Sequence, residues 1–395
     1  MSTSLNTIHI GVYGTGAIGG HVGCWLAQSN VQHNTNLHIT FLVRNTSLLN
    51  QIHTNNYIEF SQIHQSIHKL QLPSPNITFT KQSSDLSSCD IILLCVKSMD
   101  TRSASNELID IINPNTIIIS LQNGVSNKTT IQSVINSQCT VLSGIVEYNV
   151  NWSTDTIQYI QQTGGRIIIE NLQNNDKYTR LINAMNSVGL LVVTSDNIVS
   201  DQYSKLLVNL ANSINALCGL GVGQMFRIRL IRHCYASAIE EGYHILRANH
   251  IQPSKILGKM SFPLFIIAFR LPDIIFNRIR TLFVKTADSA ELSMTQDLKK
   301  QRITEVEYIN GELVRLAQSS GMSAPINAAL VQLVHQAEQA KIRPHMTSIE
   351  LADSIHAPPL YSASRPSMYV LGATVSLIAI ATQFMRKSNQ QVALV

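Results

Sequence analysis

The sequence predicts an α/β domain followed by an all-helical domain. In the first half of the chain, short runs of apolar, β-branched residues alternate with helical stretches, and a glycine-rich turn follows the first run. From about residue 202, long helical stretches replace the strands. Near-continuous apolar strands separated by helices are typical of a parallel sheet covered on both faces. The change of pattern predicts a domain boundary near residues 196–201.

The first half of the chain contains five apolar runs that predict the strands of the parallel sheet. They are Ile8–Tyr13, Ile39–Val43, Ile91–Val96, Ile117–Leu121 and Val141–Val146. Thr156–Gln161 and Arg166–Glu170 flank a Gly-Gly pair, which predicts an antiparallel hairpin. Leu190–Val193 is the last predicted strand.

The second half of the chain contains long periodic stretches that predict helices. These stretches are 202–219, 230–248, 287–319 and 325–340. We therefore expect a sheet domain over 1–198 and a helical domain over 199–345, followed by a linker over 346–366.

Composition and charge exclude several classes of protein. The chain has 395 residues, of which 45% are hydrophobic and only 13% are charged, which is unlike a disordered chain. The net charge of +5 is small for this length and gives no support to nucleic-acid binding. Six cysteines without a CxxC pair predict buried free thiols. No cluster of residues predicts a metal site, since the His64 and His68 pair has no acidic partner nearby.

Two apolar segments allow alternative interpretations. The stretch 262–285 is broken by Pro263 and Pro272, so it is either a buried helical hairpin or an amphipathic element at a membrane surface. The stretch 367–385 carries no charge and is followed by Arg386 and Lys387. It is long enough to be a transmembrane anchor, and a buried C-terminal helix is the alternative.

The glycine-rich turn lies between the first predicted strand and a helix. It consists of Gly14, Thr15, Gly16, Ala17, Ile18 and Gly19, a GxGxxG motif. In a Rossmann-type fold the first glycine allows the tight turn, the second lets a pyrophosphate approach the backbone, and the third lets the helix pack on the strand. The helix N-terminus then offers unpaired N–H groups to the phosphate. The motif predicts a dinucleotide site.

The residue after the second predicted strand indicates which dinucleotide binds. An NAD-preferring site usually has Asp or Glu there, which binds the ribose 2′-hydroxyl. This chain has Arg44, whose planar cation suits a 2′-phosphate. The sequence therefore predicts NADP(H) as the cofactor.

Polar residues on an otherwise apolar helix indicate a second part of the site. Lys205, Asn209 and Asn212 fall within about 60° of one another on a continuous helix. The remaining residues of that helix are nearly all apolar, so it should be buried, and the polar stripe then needs polar partners. We expect the stripe to face a polar cleft.

Further candidates follow predicted strands or lie on the last helices. Lys97 ends one predicted strand and Asn123 follows the next, so both belong to the edge of the sheet where ligands bind. Glu305 neighbours the apolar side of its helix, and Ser293 lies twelve residues upstream.

Taken together, these residues resemble the ketopantoate reductase family over about residues 7–340. The matching stretches are GTGAIGG at 14–20, CVKS at 95–98, LQNG at 121–124, SKLLVNLANSINAL at 204–217 and SMTQDLKKQRITEVEYINGELV at 293–314. The resemblance implies a Rossmann-type domain followed by a helical domain like the C-terminal domain of 6-phosphogluconate dehydrogenase. It also implies NADPH-dependent reduction of ketopantoate to pantoate in pantothenate and coenzyme A biosynthesis, in the cytoplasm.

The resemblance also implies roles for individual residues. Lys205 corresponds to the catalytic lysine that gives a proton to the forming alkoxide. Glu305 corresponds to the glutamate that holds the substrate hydroxyl, and Ser293 to the serine that binds the substrate carboxylate. Asn123 and Asn209 correspond to asparagines near the substrate and the nicotinamide, and Lys97 to a lysine near the cofactor.

One departure from the family affects the substrate pocket. Some members have an asparagine eight residues after the catalytic lysine, where this chain has Ser213. Asn212 and Asn215 flank that position and are candidates to replace it. Two other functions stay open: an NADPH-dependent reductase of another 2-oxo acid, and a membrane-tethered dinucleotide-binding protein without turnover. The sequence does not determine the oligomeric state.

Overall fold

A computed structural model describes residues 6–135, 139–153, 156–256, 260–280, 288 and 290–360. The chain divides into two compact units, Met1–Asp201 and Gln202–Val395. The first unit contains the strands of the fold and the second is built from helices, as the sequence predicted. Each unit is described by itself.

The first unit is organised around an eight-stranded sheet with the order β12-β11-β8-β7-β6-β1-β2-β5. The bounds of these strands are β1 Ile8–Tyr13, β2 Leu37–Leu42, β5 Ile77–Thr80, β6 Ile91–Leu94, β7 Ile117–Ser120, β8 Thr140–Val146, β11 Ile167–Glu170 and β12 Val192–Ser195. The six strands from β5 to β8 are all parallel. Their order is that of a doubly wound dinucleotide-binding sheet.

A second, four-stranded sheet has the order β4-β3-β10-β9. Its strands are β3 Tyr57–Ser61, β4 His68–Gln71, β9 Val150–Ser153 and β10 Gln158–Gln161. The α-helices that accompany the sheets in the described part of this unit are α1 Ala17–His33, α2 Thr46–Thr54, α3 Thr101–Leu108, α4 Asn127–Ile135 and α5 Asp176–Ser187. Helix α1 packs against strands of both sheets.

Apolar residues on the two faces of the eight-stranded sheet form separate cores. On one face, side chains such as Val12 and Phe41 pack with the α1 residues Val22 and Trp25. On the other face, alternate residues of the same strands pack with α3 and α4. Burial on both faces explains why these strands are apolar along their whole length.

The predicted hairpin of Thr156–Gln161 and Arg166–Glu170 is wrong. The two segments become β10 and β11, which belong to different sheets. Strand β10 pairs with β9 and β3, whereas β11 pairs antiparallel with β8 and parallel with β12. The side chains of Ile167, Ile168 and Ile169 are all buried, so β11 needs the two covered faces of the large sheet.

The second unit consists of helices in the part of the chain that the structure describes, apart from one isolated bridge between Ile256 and Met260. The helix α6 Ile198–Asn209 leads into it from the first unit. The others are α7 Ala211–Cys218, α8 Val222–Met225, α9 Arg229–Ala248, α10 Phe262–Arg270, α11 Asp273–Ile279, α12 Ser293–Lys299, α13 Val306–Ser319, α14 Pro325–Ala340 and α15 Ser348–Ser354. Helix α9 packs against α10, α13, α14 and α15.

Two of the predicted long helices are interrupted. The stretch 202–219 breaks at Leu210, where the backbone N–H bonds to the Leu207 carbonyl instead of one residue further back. The stretch 287–319 divides into α12 and α13, with Gln301 at a positive φ of 51° between them. A left-handed residue of this kind ends a helix.

The apolar segment from residue 262 begins with two short helices, α10 and α11. The rings of Phe265 and Phe269 pack against Tyr235 of α9, and Phe276 packs against Phe269. This part of the segment is therefore held within the helical unit as far as residue 280. Residues 281–285 lie outside the described residues.

The stretch predicted as a linker contains a docked helix. Helix α15 begins at a capping box formed by Thr347 and Glu350 and packs against α9. Leu351 and Ile355 are fully buried, which explains why this stretch folds onto the unit instead of extending from it. None of the described helices combines the length and apolarity needed to cross a membrane. The predicted anchor at 367–385 lies outside the described residues.

Candidate active site

The glycine turn between β1 and α1 is held by close backbone contacts. Gly14 has a φ of +101°, and a Cβ atom there would lie 2.9 Å from the Val96 nitrogen beyond β6. A Cβ atom on Gly19 would lie 2.0 Å from the Gly14 carbonyl oxygen. Neither position can accept a side chain without a shift of the backbone. The first and third glycines of the motif therefore set the shape of the turn.

The middle of the turn is open. Gly16 is the N-cap of α1, and a Cβ atom there would meet nothing within 4 Å. Ala17 and Ile18 form the first turn of this 17-residue helix. The Thr15 carbonyl accepts a hydrogen bond of 3.2 Å from the Tyr159 hydroxyl, which fixes the outer side of the turn. This open backbone at a helix N-terminus fits the pyrophosphate of a dinucleotide.

Arg44 follows β2 at the place where the ribose of a dinucleotide binds in this fold. Its side chain is 54% exposed and forms an ion pair with Glu107 of α3. Its guanidinium also donates a hydrogen bond of 2.7 Å to the Tyr13 hydroxyl. Arg44 is thus fixed in place by residues from β1 and α3.

Lys97 and Asn123 lie at the carboxyl edge of the large sheet, after β6 and β7. The Ser98 hydroxyl donates to the Asn123 carbonyl at 2.7 Å, and the Asn127 amide donates to the same carbonyl. The Gln122 amide donates to the Lys97 carbonyl at 3.5 Å. These hydrogen bonds join the two loops that carry the predicted residues Lys97 and Asn123.

Sequence reasoning missed the buried polar cluster that joins these two loops. Its members are Ser98, Thr101, Ser120, Gln122 and Asn127. The Thr101 hydroxyl donates to the Asn127 side chain at 2.9 Å and accepts from Gln122 at 2.7 Å. Ser98 and Gln122 belong to the CVKS and LQNG motifs. The sequence therefore marked these residues but did not show that they join the two loops.

In the second unit, Lys205 and Asn209 lie one turn apart on α6, and both are half-buried. Asn212 of α7 donates a hydrogen bond of 2.8 Å to the Asn209 carbonyl across the helix break. The Ser293 hydroxyl donates to the Asn212 side chain at 3.4 Å. Asn209, Asn212 and Ser293 are therefore neighbours in the helical unit.

Ser213 does not join this group. Its side chain is fully buried, and its hydroxyl donates to the Leu210 carbonyl at 3.0 Å. Asn215, also fully buried, accepts hydrogen bonds from the Leu292 N–H at 3.0 Å and from the Thr295 hydroxyl at 2.6 Å. Asn215 thus ties α7 to the start of α12, where Ser293 lies, a positioning role that the sequence did not reveal.

Glu305 immediately precedes α13 and is 8% exposed. The neighbouring Thr304 N–H donates to the Glu338 carboxylate of α14 at 2.7 Å, which holds the start of α13 against α14. Helix α14 also packs against α7. The elements that carry Asn212 and Glu305 therefore share α14 as a neighbour.

Both units match one family of enzymes. Residues 10–174 match the profile of ketopantoate reductase PanE/ApbA, and residues 197–338 match the profile of its C-terminal part. The chain belongs to the ketopantoate reductase family. It is therefore an oxidoreductase, as the sequence predicted.

Individual relatives agree with this membership. The chain is 28% identical over 313 residues to a 2-dehydropantoate 2-reductase of Yersinia pestis, which covers 70% of this chain and 90% of that one. It is 24% identical over 259 residues to the enzyme of the same name from Archaeoglobus fulgidus, which covers 63% and 76%.

Solved structures share the fold of this family member. A PanE/ApbA family ketopantoate reductase from Ralstonia eutropha JMP134 superposes with a TM-score of 0.70 at 22% identity, over 85% of this chain and 99% of that one. D-mandelate dehydrogenase with NADH and anilino(oxo)acetate superposes with a TM-score of 0.68 at 20% identity, over 85% and 99%.

Proposed function

We propose that this family member reduces ketopantoate to pantoate with NADPH, in pantothenate and coenzyme A biosynthesis. The main support is that the two halves of the chain match the two parts of one reductase family in the same order. The candidate residues of the helical half, Lys205, Asn209, Asn212 and Ser293, lie on α6, α7 and α12, which are consecutive or packed together.

The sheet unit provides the cofactor site in this proposal. When bound, NADPH would supply the hydride that reduces the C2 carbonyl carbon of the substrate. The open backbone at Gly16 and the first turn of α1 receive the pyrophosphate. Arg44 would pair with the 2′-phosphate, and Lys97 and Asn123, at the carboxyl edge of the sheet, would help to hold the nicotinamide half of the cofactor.

Lys205 does the acid chemistry in this proposal. When the hydride reaches C2, the carbonyl double bond opens and negative charge forms on its oxygen. The Lys205 ammonium stabilises that charge and then transfers a proton to the oxygen, which completes the hydroxyl of pantoate. Asn209, one turn further along α6, orients the substrate beside Lys205.

The remaining residues select the substrate. Ser293 and Asn212, which are hydrogen-bonded to each other, bind the carboxylate of the 2-oxo acid. Glu305 accepts a hydrogen bond from the C4 hydroxyl of ketopantoate. A site built to bond a hydroxyl rejects an analogue without it, because the analogue cannot make the hydrogen bond for which the site is shaped.

The proposal is tested by NADPH oxidation with the full-length protein. Ketopantoate should be reduced, and 3,3-dimethyl-2-oxobutanoate, which lacks only the C4 hydroxyl, should be a much poorer substrate. A Glu305→Ala variant, which removes the acceptor, should lose most of this discrimination. Equal turnover of the two acids by the unaltered protein would contradict the substrate assignment.

A second candidate function is reduction of another 2-oxo acid. It is favoured by the D-mandelate dehydrogenase structures, which share the fold and of which one contains anilino(oxo)acetate. Phenylglyoxylate belongs in the same substrate panel for this reason, and its preferential turnover would favour this second function. NADPH binding without oxidation by any acid of the panel would favour a dinucleotide-binding protein without turnover.

The location of the protein is part of the proposal. The two catalytic domains, 1–198 and 199–345, would act in the cytoplasm, and the apolar stretch 367–385 would either anchor them to a membrane or dock as a helix. Fractionation of cells that express the full chain and a chain ending at residue 366 separates these two outcomes. Only an anchor moves the protein to the membrane fraction.

A further inference from the structure

Arg44 shares its position with two other polar side chains. The Tyr13 hydroxyl, at the end of β1, accepts a hydrogen bond from the guanidinium and donates one of 2.7 Å to the Glu107 carboxylate of α3. Glu107 also forms an ion pair with Arg44, and the guanidinium lies 5.5 Å from the centre of the Tyr13 ring. Three separate elements of the sheet unit thus converge at the proposed ribose site.

The carboxylate of this trio is ionised at neutral pH. Burial raises the pKa of Glu107, but the hydrogen bonds from Tyr13 and Arg44 outweigh it and bring the pKa below its usual value. The charge of Arg44 is therefore already balanced by a carboxylate. Since the Arg44 and Glu107 side chains are 54% and 33% exposed, water and dissolved ligands reach both of them.

A carboxylate beside Arg44 affects the two dinucleotides in opposite ways. A 2′-phosphate that approaches the guanidinium also approaches the Glu107 carboxylate, and the like charges repel each other. The 2′-hydroxyl of NADH can donate a hydrogen bond to a carboxylate, which is how NAD-preferring sites of this fold bind the ribose. In those sites the acid follows the second strand, whereas here it comes from α3.

We propose that Glu107 is a specificity-determining residue that narrows the preference of the site for NADPH over NADH. It competes with the 2′-phosphate for Arg44 and offers an acceptor to a 2′-hydroxyl. Tyr13 keeps the carboxylate in place through its hydroxyl. This inference rests on the proposed function, in which Arg44 binds the 2′-phosphate.

Direct binding measurements test the inference without turnover. Adenosine 2′,5′-bisphosphate and 5′-AMP differ only at the ribose 2′ position, so calorimetric titration of the full-length protein with both isolates this contact. Glu107→Gln removes the charge and keeps the shape of the side chain. It should tighten bisphosphate binding about tenfold and leave AMP binding equal or weaker.

A matched control removes an ion-paired carboxylate from the other sheet of the same unit. Glu59 of β3 pairs with Lys69 of β4 at 3.3 Å. Glu59→Gln should leave the affinities for both nucleotides unchanged. Glu107→Ala provides a second variant with the same expected direction if the glutamine variant folds poorly.

The outcomes separate this inference from the proposed function. If Arg44→Ala weakens bisphosphate binding much more than AMP binding, and Glu107→Gln leaves the ratio of the two affinities unchanged, the role of Glu107 is wrong and that of Arg44 stands. If Arg44→Ala weakens both nucleotides equally, the NADPH assignment itself is wrong. The inference is supported if the ratio of the bisphosphate affinity to the AMP affinity rises in Glu107→Gln and does not rise in Glu59→Gln.

Discussion

The sheet unit and the helical unit hold their candidate residues by different means. In the sheet unit, the candidate groups are mainly backbone atoms and loop residues, held where backbone segments pack too closely for a side chain, as at Gly14 beside Val96. In the helical unit, they are side chains on helices, fixed by hydrogen bonds to neighbouring carbonyls, as for Asn212. A change in the first unit should therefore disturb a whole loop, and a change in the second should remove one group.

The largest expected effect tests the helical unit. Lys205→Ala should lower kcat with ketopantoate about a thousandfold, because no other group is proposed to donate the proton. The affinity for NADPH, measured by fluorescence titration, should stay within a factor of about two of the unaltered protein, since binding is assigned to the other unit. Lys255→Ala, at an exposed position, serves as the control. Normal turnover by the Lys205 variant would refute the mechanism.

The next effect tests the sheet unit with a matched pair of glycines. Gly19→Ala places a methyl group 2.0 Å from a backbone oxygen, so we expect about 3 kcal/mol lower stability and loss of cofactor binding. Gly16→Ala has open space, so its stability should change by less than about 0.5 kcal/mol. Its NADPH affinity should nevertheless fall about tenfold, because the methyl group displaces the pyrophosphate from the amides.

Urea unfolding and titration with NADPH measure the two glycine variants. If Gly16→Ala binds NADPH as tightly as the unaltered protein, the pyrophosphate does not lie on this turn. If both variants unfold at the same urea concentration, the close contact at Gly19 does not limit stability.

One histidine in each unit, His21 and His335, should contribute to stability with opposite dependence on pH. Burial lowers the pKa of His21 in α1 to about 4, so the unfolded chain, with a pKa near 6.5, binds the proton first as the pH falls. This group should cost stability as the pH drops from about 6.5 toward 4, by up to about 3 kcal/mol.

His335 of α14 has the opposite sign. Burial alone would lower the pKa of His335, but hydrogen bonds to Glu307 and Glu338 outweigh burial and raise the pKa above its usual value. Each ring nitrogen of His335 lies 2.8 Å from a carboxylate oxygen. Because carboxylates only accept hydrogen bonds, both ring nitrogens must carry protons. Its contribution is complete below about pH 6.5 and is lost as the pH rises through the raised pKa. Because the side chain is 37% exposed, it should stay below about 1 kcal/mol.

Urea midpoints between pH 4 and 9 check both histidines. His21→Gln should flatten the acidic limb of the profile, and His335→Gln should flatten the loss above neutrality. The pKa directions given for the two histidines would be wrong if His335→Gln flattened the acidic limb and His21→Gln the alkaline one, or if the two variants had identical profiles.

The smallest effects distinguish two neighbouring residues of α7. Ser213→Ala removes the hydrogen bond to Leu210 and should lower stability by about 1 kcal/mol without a change in the KM for ketopantoate. Asn212→Ala should raise that KM about tenfold, because it removes a group from the proposed carboxylate site. A large increase in KM for Ser213→Ala would return that residue to the substrate pocket.

The sequence predicted the parts of the fold that depend on local rules. Strand β1 has the predicted bounds, and the glycine motif lies at the predicted turn, because buried parallel strands and close backbone contacts both leave clear patterns. The pairing of β10 and β11 could not be predicted in this way. Two glycines between two strands indicate a turn but do not say which sheet each strand joins.

The sequence by itself determined the two-part architecture, the glycine-rich turn and the identity of the candidate side chains, since each depends on residue type and spacing along the chain. Tertiary structure decided which of these side chains are neighbours. The break at Leu210 turns Ser213 inward and leaves Asn212 beside Ser293. Glu107 reaches Arg44 from 63 residues away. Such partners are selected by packing between elements, which no local pattern encodes.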